Sequence, residues 1–578
     1  MNFKKYIPIL EWLPQYSRSQ LNSDLSAGLT VGVMLIPQGM AYAMLAGLPA
    51  IYGLYAATIP LILYAIFGTS RQLAVGPVAM VSLLIATGVG KIAAVGSEEF
   101  IALSILLALM VGVFQLSLGV FRLGFLVNFL SHPVISGFTS AAALIIGLNQ
   151  LKHLLGINIS RSNYVHTILI EAVSNINSAH LWTVILGVGG IAIIMIVKKT
   201  SKVIPGPLVA VVLGILIVYF FRLDQVGVQI VKEVPDGFPP FAFPAISWEG
   251  MQALFPTALT IALVGFMESI AVAKAIQSKH KNYKVVANQE LIGLGVANIG
   301  GSLFASFPTT GGFSRTAVND QAGARTGMAS IISALLIVLT LLFLTPLFYY
   351  LPKALLASVI MVAVFGLIDY KEVIHLWKTD KKDLLMLAVT FFATLSTGIE
   401  EGIAIGVALS LGMVLFRSSY PHVAVLGQLP GTNMYRNINR YSEALQHEGI
   451  LIVRFDAQLF FANLQYFRDL IEEEVYKRKN VKVVIINGQA INSLDSSAIH
   501  MLKDLIEELD KDHIKLVFSG LKGPIRDIMV KNRIVDELGT KHFFNEVHEA
   551  VECFAGECSP EETYEFQSNL NIETITKS

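Results

Sequence analysis

Between residues 25 and 416 the chain is a succession of apolar runs separated by short polar breaks, a pattern that leaves few folds open. The runs at 100–120, 181–197, 252–272, 328–348 and 384–399 are each close to the ~20 residues a helix needs to cross the hydrocarbon layer. Those at 25–45, 51–67, 130–149, 206–221, 286–303, 354–368 and 401–416 are shorter or rich in glycine and proline. With two interrupted segments, at 69–90 and 302–323, the pattern predicts fourteen crossings. Only 15% of the 578 residues are charged and 54% are hydrophobic, too little charge to cover a soluble surface of this size. Net charge is zero, which gives no case for nucleic-acid binding.

Charge placement orients the crossings. With the N-terminus inside, the inner connections hold Arg71, Arg122, Lys198, Lys199, Lys202, Lys274, Lys279, Lys281, Lys284, Arg325, Lys371, Lys378, Lys381 and Lys382. The outer ones hold Glu98, Glu99, Asp224, Glu233, Asp236, Glu400 and Glu401, along with Lys91, Lys152, Arg161, Arg222, Lys232 and Lys353. The bias follows the positive-inside rule. Residues 1–22 read as a cytoplasmic lead-in with an interfacial patch at 7–13 and no cleavable signal peptide.

The two interrupted segments share one character. TSRQLAVGPVAMVSLLIATGVG (69–90) starts extended, breaks at Gly76 and Pro77, then becomes helix-compatible, with Pro77 fitting a first helical turn. SLFASFPTTGGFSRTAVNDQAG (302–323) carries Pro308, a threonine pair, two glycines, Ser314 and Arg315. Such breaks survive at membrane depth only where protein encloses them, and at related places in two halves they point to a substrate site near the midplane. They stand third and tenth in the count, so each is third in its half of seven. An odd seven inverts one half relative to the other.

After Tyr420 the pattern changes to alternating strands and amphipathic helices, a small α/β domain over 432–555 on the same side as the N-terminus. The tail, 556–578, is polar and reads as disordered. The two cysteines, Cys553 and Cys558, read as unpaired.

Glu268 lies inside an apolar span, where a carboxylate is expensive and by default functional. It can take up a proton, help hold a cation, or merely pair with a neighbour to join helices. Arg315 lies just inside the second proposed half-helix, whose N-terminus adds partial positive charge and free N–H groups. Arg315 serves either an anion or a salt bridge to Glu268. The half-helix N-termini, Gly76, Pro77 and Val78 in one and Gly312 and Phe313 in the other, would meet as an anion cradle. Gln38, Tyr42, Ala79 and Phe138 are candidate wall residues, with Ser314, Thr309 and Thr310 as weaker hydroxyl candidates. Gly28, Gly32, Gly39 and Gly47 permit close helix approach. Ser496, in Asp495–Ser496–Ser497, could cap a helix or accept a regulatory phosphate. No nucleophilic triad, nucleotide loop or metal motif is present, so the expectation is a non-enzyme without cofactor or metal.

The run SDLSAGLTVGVMLIPQGMAYAMLAGLPAIYGLYAA (23–57) resembles the opening signature of the sulfate permease (SulP) family. GTSRQLAVGPVA (68–79) and the 267–323 stretch resemble it too, and the C-terminal part is similar to the STAS domain shared with anti-sigma factor antagonists. The resemblance implies a 23–420 transport domain, all-α and polytopic, of fourteen transmembrane segments in two inverted seven-segment repeats, with half-helices at segments 3 and 10. Segments 1–4 and 8–11 form the moving core and 5–7 and 12–14 the gate of an elevator-like transporter, followed by a small cytoplasmic α/β STAS domain. It implies a homodimer in the cell membrane with cytoplasmic termini, in contact with lipid and open to a regulatory protein at the STAS domain.

Relatives carry sulfate, bicarbonate, chloride, oxalate or dicarboxylates. Proton-linked sulfate transporters have a glutamate at the position of Glu268. Sodium-linked bicarbonate carriers have an aspartate there and a threonine one turn on, where this chain has Val272. The expectation is therefore sulfate carried by proton-coupled symport. Bicarbonate or dicarboxylate transport, chloride-coupled exchange and a transport-inactive membrane scaffold are the alternatives.

Overall fold

The computed structural model describes residues 6–125, 131–159, 162, 164–200, 205–280, 282–478 and 480–556, without the side chains of 399 and 400. Arg161, Lys202, Lys281, Cys558, the side chain of Glu400 and the expected disorder of 557–578 lie outside the described residues. The chain divides into two compact units, Met1–Ser410 and Leu411–Ser578.

The first unit is helical. Helix α1 (Arg18–Ala46) starts inside the expected lead-in, because Ser17 and Gln20 form a capping box there. Its end is set by Gly47, whose φ of 89° closes the helix in the left-handed region. Gly47 is thus a C-cap and not the packing glycine expected of it. A short helix, Ile51–Tyr55, precedes α2 (Ile59–Phe67). Then come strand β1 (Val75–Gly76), α3 (Ala79–Gly90), α4 (Glu98–Val120), α5 (His132–Asn149), α6 (Leu181–Thr200), α7 (Gly206–Phe221) and α8 (Trp248–Gln277). The unit continues with α9 (Ala287–Ser302), β2 (Thr310–Gly311), α10 (Phe313–Gln321), α11 (Met328–Leu339), α12 (Lys353–Phe365), α13 (Tyr370–Thr379), α14 (Lys381–Thr397) and α15 (Ile399–Ser419), which runs across the division.

Among the described residues, eight helices are long and apolar enough to cross a membrane. The segments at 51–67, 79–90 and 206–221 are apolar but shorter, and the run at 384–399 is the seventeen-residue α14.

Glycines let the backbones touch. A Cβ on Gly112 of α4 would sit 2.7 Å from the Ile299 nitrogen of α9, and one on Gly28 of α1 would sit 2.6 Å from the Ala329 carbonyl of α11. A Cβ on Gly39 would lie 2.8 Å from the Gly53 carbonyl. Such approach is how helices associate where lipid offers no hydrophobic drive.

In the second unit the sheet order is β4-β3-β5-β6-β7-β8. Its strands are β3 (Val423–Gln428), β4 (Tyr435–Asn437), β5 (Ile450–Phe455), β6 (Val483–Asn487), β7 (Lys515–Ser519) and β8 (Phe543–Phe544). β5 to β8 are parallel, while β3 is antiparallel to both its neighbours. β3 follows the change of pattern at Tyr420 but lies before residue 432, so the sheet begins earlier than the expected domain bounds. Helices α16 (Leu464–Lys477), α17 (Ser496–Lys511) and α18 (Gly523–Lys531) cover one face through Phe467, Leu502 and Ile525. Helix α19 (Val547–Ala555) covers the other through Val547, Ala550 and Val551. Burial on both faces explains the unbroken apolar run of VVIIN in β6.

A Cβ at Gly53 would collide with the Gly39 carbonyl, whereas one at Gly90 meets no atom within 4 Å. Gly53→Ala is expected to lower the stability of the detergent-solubilised protein by about 1–3 kcal/mol, and Gly90→Ala to leave it close to wild type. Thermal unfolding of the two variants side by side measures this.

Candidate functional site

The two interrupted segments meet. β1 and β2 pair antiparallel, Val75 opposite Gly311 and Gly76 opposite Thr310. The Gly312 N–H donates to the Ala74 carbonyl at 3.1 Å, and the Ala74 N–H to Thr316 Oγ1 at 3.1 Å. The Asn319 amide adds a bond to the Gln72 carbonyl. Gly76 has a φ of 151°, a region that side chains rarely enter.

Side chains satisfy what two short strands leave over. The Gly311 N–H donates to Ser269 Oγ at 2.8 Å, which contacts Thr310 Oγ1 at 2.7 Å, and that hydroxyl donates to the Gly265 carbonyl at 2.5 Å. On the other side, Asn298 accepts from the Thr309 N–H at 2.7 Å and donates to the Thr309 carbonyl at 3.0 Å. Gln115 of α4 accepts from Asn298 and donates to the Ala262 carbonyl. Thr309 and Thr310, read from sequence as candidate ligands, are occupied in holding the break. Gln115, Ser269 and Asn298 were not singled out by the sequence reading. Their signal was present, since Gln115 and Asn298 are amides set in apolar runs.

Both short helices start without a side-chain cap, α3 after Val78 and α10 after Gly312. Pro77 stands just before the Val78 N-cap and outside the first helical turn expected for it, because Val78 is still extended. Gly312 is the N-cap of α10, Phe313 and Ser314 follow on an exposed face, and Arg315 is buried, with 1% of its surface accessible. Arg315 Nη1 donates to the Pro77 carbonyl at 2.5 Å, so the arginine of one segment ties down the other. Its Nε and Nη2 are buried with no hydrogen-bond partner among the described residues. A Cβ on Gly312 would lie 2.8 Å from Nη2 and one on Gly76 3.5 Å from it. The guanidinium therefore occupies a space that two glycines keep open.

Glu268 is half-buried on α8, one residue before Ser269, and its Oε2 has no hydrogen-bond partner. Its charge and that of Arg315 act on one another and on Tyr42, but Glu268 and Arg315 make no ion pair. The purely structural salt bridge considered from sequence is not formed. Gln38 and Tyr42 stand one turn apart on α1, both buried, and Gln38 Oε1 also lacks a partner. Tyr42, Ala79 and Phe138 belong to one buried apolar cluster, with Ala79 the first residue of α3. The result is an apolar wall beside two helix N-termini and an arginine edge. Nε–H and Nη2–H point the same way in a guanidinium and match two oxygens of one anion.

Two other buried carboxylates went unread in the sequence. Glu290 accepts from Tyr64, from the Thr69 hydroxyl and backbone, and from the Ser70 N–H. Asp24 accepts from the Arg325 and Thr326 N–H groups, from the Thr326 hydroxyl and from Tyr16. In the second unit Asp495, and not a serine, caps α17, accepting from the Ala498 N–H at 2.7 Å. Ser496 is exposed in the first turn. Among the described residues no group of three or more His, Cys, Asp or Glu could hold a metal ion.

The chain is 42% identical to sulfate transporter 4.1, chloroplastic, of Arabidopsis thaliana, over 94% of this chain and 82% of the relative. It is 35% identical to high affinity sulfate transporter 2 of Stylosanthes hamata, over 94% of this chain and 85% of that one. The solved structure of the murine Slc26a9 anion transporter in its inward-facing state superposes with a TM-score of 0.88 at 28% identity, covering 95% of this chain and 94% of the other. Residues 21–390 match the sulfate permease family and 441–550 the STAS domain. On these matches the chain belongs to the sulfate permease family, as a multi-pass membrane transporter that carries a C-terminal STAS domain.

Proposed function

We propose that this protein carries sulfate across the membrane together with a proton, by elevator-like movement of one helical block against another. The observation that carries the reading is the free Nε–Nη2 edge of buried Arg315 at two uncapped helix starts. An oxyanion fits that edge through two oxygens, and the helix N-termini supply further N–H donors. The curated relatives named above are sulfate transporters, and sulfate is the oxyanion this site is proposed to take. Glu268, with an unpartnered oxygen beside Arg315, is the proposed proton carrier.

In this reading the fourteen crossings form two inverted sets of seven, β1–α3 and β2–α10 being the half-helices. The core block holds α1 to α4 and α8 to α11, and the gate holds the rest of residues 23–420. Backbone-close packing of α4 on α9 and of α1 on α11 supports a rigid core. The termini and the STAS domain, 432–555, are placed in the cytoplasm, and the working unit is a homodimer.

Labelled sulfate uptake into proteoliposomes tests this. An inward proton gradient is expected to raise uptake and an inward sodium gradient to leave it unchanged. Sodium-driven uptake would overturn the proton assignment. Absent sulfate uptake with preserved bicarbonate or dicarboxylate uptake would reassign the substrate.

Arg315→Ala removes hydrogen bonds from a charged group, each worth ~1.5–3 kcal/mol. Apparent sulfate affinity should fall about tenfold or more, with Arg315→Lys intermediate because the fork is lost and the charge kept. Glu268→Gln is expected to abolish stimulation by the proton gradient while leaving sulfate–sulfate exchange measurable. Gly312→Ala pushes a Cβ against Nη2 and should weaken sulfate affinity with little change in thermal stability, read by uptake and unfolding on the same preparation.

A further inference from the structure

Helix α13 lies outside the site and forms the end of the candidate span Lys353–Thr379, set off from α12 by a break at 366–369. It joins α12 to α14, with four residues before it and Asp380 alone after it. Connections that short keep it next to the end of α12 and the start of α14. Its sequence, YKEVIHLWKT, is amphipathic, yet most of its apolar face is turned away from the protein. Tyr370, Val373, Ile374 and Trp377 are 62%, 40%, 53% and 70% exposed. At 100° per residue they fall on one arc. Leu376, on the neighbouring arc, is buried. The opposite side is fixed to α5: Glu372 pairs with His132 at 3.2 Å, and the Asp369 N–H donates to Ser140 Oγ at 3.2 Å. Beyond Asp380 the exposed apolar surface continues on α14 through Leu385 and Phe392, at 62% and 65%.

Cations border this arc. Lys371 and Lys378 lie about one helical step to one side of it, and Lys381 follows at the start of α14. All three are exposed, and none makes an ion pair among the described residues. Aromatic residues with lysines beside them are the composition of a helix lying in the headgroup layer, and lysines at that depth attract acidic lipid.

We propose that α13 is an interfacial helix that binds anionic phospholipid, its Tyr370–Val373–Ile374–Trp377 arc set into the acyl boundary and Lys371, Lys378 and Lys381 on the phosphates. Its bonds to α5 make it an anchor of the α5–α14 pair to one leaflet.

The test uses the full chain with Trp12→Phe, Trp182→Phe and Trp248→Phe, leaving Trp377 as the reporter. It is reconstituted in phosphatidylcholine, with and without phosphatidylglycerol, each with brominated acyl chains. Quenching by the brominated lipid, with protection from acrylamide, is the expected result. Acrylamide quenching without lipid quenching overturns the proposal, as does the absence of both, which would mean that protein covers the arc. On the unsubstituted chain, a photoactivatable phosphatidylglycerol should label residues 366–383 in preference to its phosphatidylcholine counterpart. Combining Lys371→Gln, Lys378→Gln and Lys381→Gln should lower that preference by about fivefold per lysine. Equal labelling by both lipids in the unsubstituted chain overturns the anionic specificity.

Discussion

A helix broken at membrane depth leaves N–H and C=O groups that lipid cannot satisfy, and the arrangement of the transport unit turns on where those groups go. Two residues of β1 against two of β2 settle some of them. Ser269 meets the Gly311 N–H on one side and Asn298 meets the Thr309 N–H and carbonyl on the other, with Thr310 and Gln115 bonded to them. Ser269, Asn298 and Gln115 come from α8, α9 and α4, so the pairing also ties those helices to the breaks. Each bond is worth only ~0.5–1.5 kcal/mol net, but an unmet buried group costs ~1–3 kcal/mol. The network is therefore held more by the penalty of opening it than by the gain from forming it.

Against that background the unmet groups separate into a pattern. Glu290 and Asp24 each accept four hydrogen bonds, which is close to saturation for a carboxylate. They lock loops to helices. Arg315, Glu268 and Gln38 each keep a buried polar atom without a partner. A buried polar atom left alone is unfavourable unless something else binds there at some stage of a cycle. Ser70, Ser82, Asp224 and Asn319 also keep such an atom, so it is the grouping around Arg315, and not the missing partner alone, that marks the proposed site.

The sequence carried the outline of this well and its interior poorly. Apolar run length located most of the eight helices long and apolar enough to cross a membrane, because the bilayer imposes a length, and Gly–Pro and Gly–Gly pointed to the segments that pair as β1 and β2. Arg315 and Glu268 stood out because charge in an apolar run is rare. The polar network did not, since Gln115, Ser269 and Asn298 matter through partners in other elements, and no local pattern encodes a partner. Helix ends were misplaced where one residue decides: Ser17 starts α1 early, Gly47 stops it, and Val78 displaces Pro77 from the helix. In the STAS domain, β5 to β7 were legible as short apolar runs alternating with amphipathic helices, β6 being the β-branched one, while β3 was hidden by its position right after an apolar helix.

The same bonds bear on how an anion could be carried. A gate made by swinging one side chain or one half-helix would unpair Thr310 and Gly311 or part Arg315 from the Pro77 carbonyl, leaving several buried groups unmet at once. Moving the block as a body breaks none of them. The Gly112–Ile299 and Gly28–Ala329 contacts are backbone against backbone and leave little room for sliding within the block. A site built from two broken helices and one bridging arginine is cheap to translate and costly to deform. The cost of opening this pairing is one reason for proposing movement as a block.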